Sequence, residues 1–355
     1  MKKIVTLLLI STSIFSTGCS KKLQVNWKFK TGGAVYSSPT ISNSTVFFGS
    51  EDFYVYALNE STGEERWKFK TSGIVHGTPI VEKNTVYVGS NDSYFYALDS
   101  RTGNRKWRFK TQGGISSTPN IVKGTVFFGS DDSYLYALNI ASHNVKWKFK
   151  TGDWVSGSST LSGSNLYFGS YDHNLYAVNV NSGKEVWKFK TKGLITSTPI
   201  VKDNIVYFGS NDHSLYAVDA ITGKKISFEK KLDEGKIAQK VWKFTAGDDI
   251  AATPLVTRDT IYFGSLDNHV YALDRATGEQ KWDFKTDGPV STTPIIANNI
   301  VYFGSLDKAL YAIDNKSGKL NKKFTTDDSV YSSPAINNEV IYFGSNDNHL
   351  YSVKY

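Results

Sequence analysis

Eight aspartates recur one to a unit, each three residues after a glycine: Asp52, Asp92, Asp132, Asp172, Asp212, Asp267, Asp307 and Asp347. Carboxylates repeated this way could ligate a hard cation. Their spacing argues otherwise, because six of the seven intervals are 40 residues and one is 55, so each carboxylate belongs to a separate unit. An Asp in a Gly-Ser-x-Asp turn accepts hydrogen bonds from nearby backbone N–H groups, and turn formation is the better reading. A second set lies three residues before the Pro of seven units, and before the Ser159 that replaces it in the fourth: Tyr36, His76 and Tyr331, with small residues such as Ser116, Ser156 and Thr196 in the other units. An imidazole can act as a general base. No carboxylate shares this set of positions, so the three point to a small polar pocket rather than to catalysis. The third reactive group is Cys19, the only cysteine. One thiol allows no disulfide and no C-x-x-C-H haem site.

The elements that position these residues repeat with them. In Ile74–Lys110, period-2 alternation of β-branched and aromatic residues predicts strands over 74–81, 85–89, 94–99 and 105–110, separated by Asn, Asp, Gly and Ser. Four antiparallel strands per unit of about 40 residues is the pattern of a propeller blade. The eighth unit runs from Val330 to Tyr355 and stops after its third strand, while Val25–Lys30 is an orphan fourth strand at the other end. The fold predicted is all-β: an eight-bladed β-propeller of four-stranded antiparallel blades. Its N-terminal strand completes the last blade and so removes the exposed edges of an open array.

Residues 1–18 have the layout of a signal peptide: Lys2 and Lys3, an apolar run from Ile4 to Ile10 too short to span a bilayer, then small residues. Ser16-Thr17-Gly18-Cys19 resembles the lipobox of bacterial lipoproteins, with Ser16 where Leu is usual. The resemblance implies lipidation of Cys19, with 19–24 as tether and 25–355 as propeller; an ordinary signal peptide with an incidental cysteine is the alternative. Ser20 follows the cysteine. Aspartate there is the usual inner-membrane retention signal, so the resemblance favours the outer membrane, on its periplasmic face or at the cell surface.

Ala57–Trp67 (ALNESTGEERW) resembles the tryptophan-docking motif of the pyrroloquinoline-quinone-like (PQQ-like) propeller family, as do Ala97–Trp107, Ala177–Trp187 and Ala272–Trp282. Ala137–Trp147 has Ser142-His143 in place of Thr-Gly, Ala312–Lys322 lacks its Trp, and the fifth copy is interrupted before Trp242. The resemblance implies that Trp27, Trp67, Trp107, Trp147, Trp187, Trp242 and Trp282 each pack on a neighbouring blade. Lipid-anchored eight-bladed members are similar to the propeller lipoprotein of the outer-membrane β-barrel assembly machinery, which implies a protein partner in that complex and no cofactor. Other members are dehydrogenases that hold PQQ and calcium. Here no vicinal cysteines stand for the quinone, no Glu/Asn/Asp set is assignable to calcium, and the turns are too short for a lid.

The formal charge is +8. Lys28, Lys30, Lys68, Lys70, Arg108, Lys110, Lys148, Lys150, Lys188 and Lys190 alternate outward on fourth strands, where Lys guards a sheet edge against strand addition; a membrane-facing role is the other reading. Nothing resembles a nucleic-acid module. Function is sought where the units disagree. Trp154 is the only Trp outside the repeated position, and either an exposed anchor or a packed residue. A 15-residue insertion in the fifth unit lengthens the loop over 224–239, with Phe228 and Leu232 as apolar candidates for a partner-binding projection; a tolerated surface insertion is the alternative. The expectation is a monomeric, non-catalytic protein-binding scaffold. A surface or periplasmic ligand-binding or sensing module is the alternative, and a PQQ-dependent dehydrogenase the lesser one.

Overall fold

In a computed structural model that describes residues 23–231 and 237–354, eight four-stranded antiparallel sheets form eight blades. The segment expected to be a signal peptide, Cys19 and Leu232 lie outside the described residues. Short first strands of neighbouring blades contact one another, blade 8 meeting blade 1, so the ring is closed. In blade 2 the second strand (Thr85–Gly89) is buried throughout and the third (Tyr94–Asp99) is buried except at its ends. The fourth (Arg105–Lys110) alternates: Trp107 and Phe109 are half-buried, and Arg108 and Lys110 are exposed. These three strands begin and end where the alternation places them.

The first strand does not. It spans only Ile80–Glu82 rather than 74–81. Val75 donates its N–H to the Ser50 carbonyl of blade 1 at 3.2 Å, and Pro79 has no N–H to give a ladder. The Gly77 and Pro79 carbonyls also accept from blade 1, from the Ser37 and Thr40 hydroxyls, while the Ile74 carbonyl accepts from the Asn91 N–H in the turn of its own blade at 3.0 Å. The Gly of each Gly-Ser pair permits this crossing. A Cβ on Gly89 would stand 2.6 Å from the carbonyl oxygen of Ile115 in the next crossing segment.

The ring closes as the orphan strand implies. Gln24–Lys30 pairs antiparallel with His349–Lys354, including Trp27 opposite Ser352 and Phe29 opposite Leu350. Tryptophan docking is also as the resemblance implies. Trp27 is 9% exposed, its indole N–H donates to the Glu60 carbonyl of blade 1 at 2.9 Å, and its ring covers Gly63. Gly63 has φ 73°, a left-handed turn conformation open to glycine, and a Cβ there would meet Trp27 at 2.6 Å. His143 takes this turn position in blade 3 with φ 60°, and stacks its imidazole 4.8 Å from the Trp107 ring.

The missing Trp of blade 7 now has a cause. Each Trp docks on the turn between third and fourth strands of the following blade. Blade 8 has no such turn, because its third and fourth strands come from opposite ends of the chain. Lys322 stands at the vacant position, opposite Ala312. Leu23, 7% exposed, joins the apolar cluster of this seam with Leu310, Ala312 and Ile341. Leu23 and Gln24, read from sequence as the end of the tether, thus carry structure.

The insertion is a hairpin and not a loop: Ser227–Lys231 pairs with Ile237–Val241. Other blades show where it comes from. Their fourth strands carry a bulge, as where Ala57 faces Trp67 and Leu58 faces Glu65, leaving Arg66 as the extra residue. In blade 5, Val218 bridges Lys225, Trp242 donates its N–H to the Ile226 carbonyl, and Tyr216 faces Lys243. The hairpin is an enlarged bulge.

Candidate functional site

Segments that cross between blades and turns between second and third strands lie together on one face, around the mouth of the channel. The repeated Asp ties them. Asp92 Oδ2 accepts from the Ser72 N–H of the crossing segment at 2.8 Å and from the Tyr96 hydroxyl at 2.7 Å, while Oδ1 accepts from the Tyr94 N–H at 3.0 Å. Burial and this hydrogen bond push Tyr96 far above the ordinary tyrosine range. The same Tyr→Asp bond recurs in all eight blades, for example at Tyr56, Tyr136 and Tyr351. These aspartates are structural, as the spacing argues.

A second ring, nearer the channel, joins adjacent blades through residues that differ. His76 Nε2 lies 2.9 Å from Glu51 Oε1, and the Ser116 hydroxyl donates to Asn91 Oδ1 at 3.0 Å. Ser156 reaches Asp131 at 3.4 Å, and Asn346 Nδ2 donates to the Tyr36 hydroxyl at 3.3 Å. The structure brings Tyr36, His76 and Tyr331 together. Their ring centroids are 4.9 Å apart for Tyr36–His76 and 4.7 Å for Tyr36–Tyr331. Burial first, then the neighbouring Tyr36, raises the Tyr331 hydroxyl. The three rings pack on one another and Glu51 holds the imidazole. No carboxylate shares the positions of Tyr36, His76 and Tyr331, and the partner of His76 comes instead from the turn of the preceding blade.

Trp154 is exposed, at 47%. Asp153 Oδ1 caps its N–H at 2.8 Å, and the ring leans on Tyr171 with centroids 5.5 Å apart. Phe228 is half-buried against the cluster that includes Trp242 and Ile250, so it does not project. Trp154 and the Tyr36 cluster share a face, and the hairpin grows from the opposite end of its strand.

The mouth is acidic. Beyond the eight repeated aspartates, its segments carry Glu51, Asp131, Asp153, the pair Asp248-Asp249, Asp287 and the pair Asp327-Asp328, against the lysines Lys192 and Lys308. Burial raises the carboxyl of Asp131. Burial and then the adjacent Asp248 raise Asp249. Among the described residues, one group has ligand atoms close enough to hold a metal ion: His213, Asp248 and Asp249, within 4.8 Å of one another. His213 Nδ1 lies 3.4 Å from Asp248 and 3.5 Å from Asp249, so a protonated imidazole would pair with both. Sequence reading missed this group, although Asp248-Asp249 stands where most units carry Gly followed by an uncharged residue.

The family profile described as outer membrane protein assembly factor BamB matches residues 23–226 and 231–354. No curated protein matches the chain in sequence. Solved structures share its fold. BamB from Moraxella catarrhalis superimposes with a TM-score of 0.76 at 17% identity, over 94% of this chain and 100% of that one. The quinohemoprotein alcohol dehydrogenase from Comamonas testosteroni gives 0.77 at 15% identity, over 94% of this chain and 76% of the enzyme. The computationally designed Ika8 protein gives 0.77 at 16%, over 92% and 98%. Identities this low bear on fold alone.

Proposed function

The chain belongs to the family of outer membrane protein assembly factor BamB, and from that premise we propose that it is a non-catalytic scaffold, lipid-anchored through Cys19, that binds a protein partner in outer-membrane protein assembly. The observation that carries this reading is Trp154. A large aromatic that is 47% exposed, beside Tyr171 and within an acidic mouth, has the make-up of an interface anchor. Gln24 begins the closing strand at its end away from the mouth, so an anchor attached before it leaves the mouth accessible. The anchor, the export and the placement at the outer membrane rest on the lipobox resemblance and the family.

The dehydrogenase reading meets an electrostatic obstacle. PQQ is a polycarboxylate and needs cations around it. The mouth offers Lys192 and Lys308 against Glu51, Asp131, Asp153, Asp248 and other acids. The residues present do not fit the cofactor.

Affinity purification of the tagged chain from detergent-solubilised membranes, at native expression, tests the proposal. A 16-stranded barrel-assembly protein should co-purify, and Trp154→Ala should reduce its recovery with the propeller still folded. Clear absence of that partner would overturn the reading. Adding PQQ with calcium should leave the melting temperature unchanged; a rise that grows with cofactor concentration would favour the enzyme.

A further inference from the structure

The basic residues of the rim are unevenly distributed. The fourth strands of blades 8, 1, 2 and 3 (Gln24–Lys30, Glu65–Lys70, Arg105–Lys110 and Val145–Lys150) carry twelve Lys and Arg, all exposed, against one acid, Glu65. The fourth strands of blades 4 to 7 carry six exposed cations, with Lys322 half-buried in blade 7 and Lys225 exposed before the hairpin of blade 5, against two acids, Glu185 and Asp283. Edge guarding would apply equally to all eight blades and does not explain the difference.

A second feature is confined to the same sector. The third strands of blades 1, 2 and 3 begin with Tyr54, Tyr94 and Tyr134, where blades 4 to 8 have Asn174, Ser214, His269, Ala309 and His349. Each tyrosine carries two cations. Lys68 and Lys70 lie 5.5 and 5.7 Å from the Tyr54 centroid. Arg108 and Lys110 lie 4.1 and 5.8 Å from Tyr94, and Lys148 and Lys150 lie 4.3 and 6.0 Å from Tyr134. Half-buried phenols with cations above them form an amphipathic platform, a combination suited to a membrane–water interface.

We propose that the rim of blades 8, 1, 2 and 3 docks edge-on against an anionic lipid surface. The occupant follows from charge complementarity and from the position of the tether. The closing strand is the outer strand of blade 8 and begins at Gln24, five residues after Cys19. Five extended residues reach at most about 18 Å. If Cys19 is lipidated, as proposed above, the bilayer lies within that distance of this sector. Lysines and arginines near an anionic leaflet each add attraction that decays within a Debye length. Because a flat surface meets neighbouring blades of a convex rim, blades 1 and 2 supply most of the contact. The channel axis then lies along the membrane plane and the acidic mouth opens sideways.

The test uses the full mature chain with Cys19→Ser, so that neither lipidation nor the barrel-assembly partner enters the result. Co-sedimentation is measured with vesicles of phosphatidylcholine, with and without one-third phosphatidylglycerol. At physiological salt, binding should be at least about tenfold stronger to the anionic vesicles, and it should vanish near 1 M salt, where screening reaches about 3 Å. A triple variant, Lys68→Glu, Lys110→Glu and Lys148→Glu, should lose at least about tenfold. A matched triple on the other sector, Lys188→Glu, Lys190→Glu and Lys285→Glu, should stay within about threefold. Circular dichroism checks that each variant is folded, and Lys→Gln replacements at the same sites serve if a reversal is not. Equal binding to neutral vesicles, or equal loss in both triples, would overturn the proposal. So would retention on heparin without vesicle binding, which would assign the sector to a polyanionic polymer.

Discussion

Trp27 and Trp67 make almost the same contacts, yet their loss should be felt differently. Trp27 is 9% exposed and donates to Glu60 at 2.9 Å; Trp67 is 8% exposed and donates to Ser100 at 3.0 Å. Truncating a buried Trp to Ala costs about 3–5 kcal/mol, and the lost hydrogen bond adds about 1 kcal/mol. Each variant should therefore lose about 4–6 kcal/mol in urea unfolding, a large share of a typical total stability of ~5–15 kcal/mol. The distinction lies in connectivity. Trp67 sits on a strand joined covalently to its blade, whereas Trp27 sits on a strand held to His349–Lys354 by pairing and packing alone. In Trp27→Ala the closing strand can detach without unfolding the other blades. Hydrogen exchange should then show the amides of 349–354 opening well before the global transition, while in Trp67→Ala they stay protected up to it. Identical protection in the two variants, or a cost below about 1 kcal/mol for Trp27→Ala, would refute this account of the seam.

Leu23→Ala should cost about 2–4 kcal/mol by urea unfolding, because Leu23 occupies the cluster at the blade 7–8 seam; no loss would mean that residue 23 is not packed. Tyr96→Phe leaves Asp92 with one donor fewer and should cost about 1–2 kcal/mol, and a double-mutant cycle with Asp92→Asn should show coupling between the two. Stability should fall at both ends of the pH scale. The eight turn tyrosines include Tyr56, Tyr96 and Tyr311, whose hydroxyls are raised first by burial and then by their Asp partners. Their contribution is fully present below the unfolded value of about 10 and lost as pH rises beyond it. Burial acts to raise Asp172 and Asp212, but hydrogen bonds from Tyr176, Tyr216 and backbone N–H groups outweigh it and hold both carboxyls below the ordinary value. Their contribution is present above about pH 4 and lost as pH falls. Melting temperature followed from pH 3 to 11 checks both limbs, and a flat profile would contradict them.

Blade architecture was legible because each unit repeats a short-range pattern. Alternation over 85–110 placed three strands at their observed ends. It failed for residues 74–79, where Val75 donates its N–H to blade 1 and its side chain packs between blades 1 and 2. The insertion was visible as an interruption, but that it enlarges a bulge depends on the register between Val218 and Lys225. That Lys322 replaces a Trp follows from both chain ends sharing blade 8, a long-range pairing that the local repeat does not carry. At the mouth, comparing the units singled out Tyr36, His76, Tyr331 and Trp154, whereas the exposure of Trp154 depends on how Asp153 and Tyr171 hold it. The group of His213 with Asp248 and Asp249 was hidden because the inserted hairpin separates its members in sequence.

The closing strand also orders events in time. During synthesis from the N-terminus, Gln24–Lys30 is the earliest propeller segment to emerge and its partner His349–Lys354 the latest. Seven other blades can be assembled while the first strand still waits with its ladder groups unmatched. Joining the two costs little more than closing a far shorter loop, because loop entropy grows only logarithmically with length. Completion of the ring thus reports that all eight blades have been made. A chain released before Leu350 would leave Gln24–Lys30 without its ladder partner and blade 8 with an open strand, a difference that a protease or chaperone can recognise.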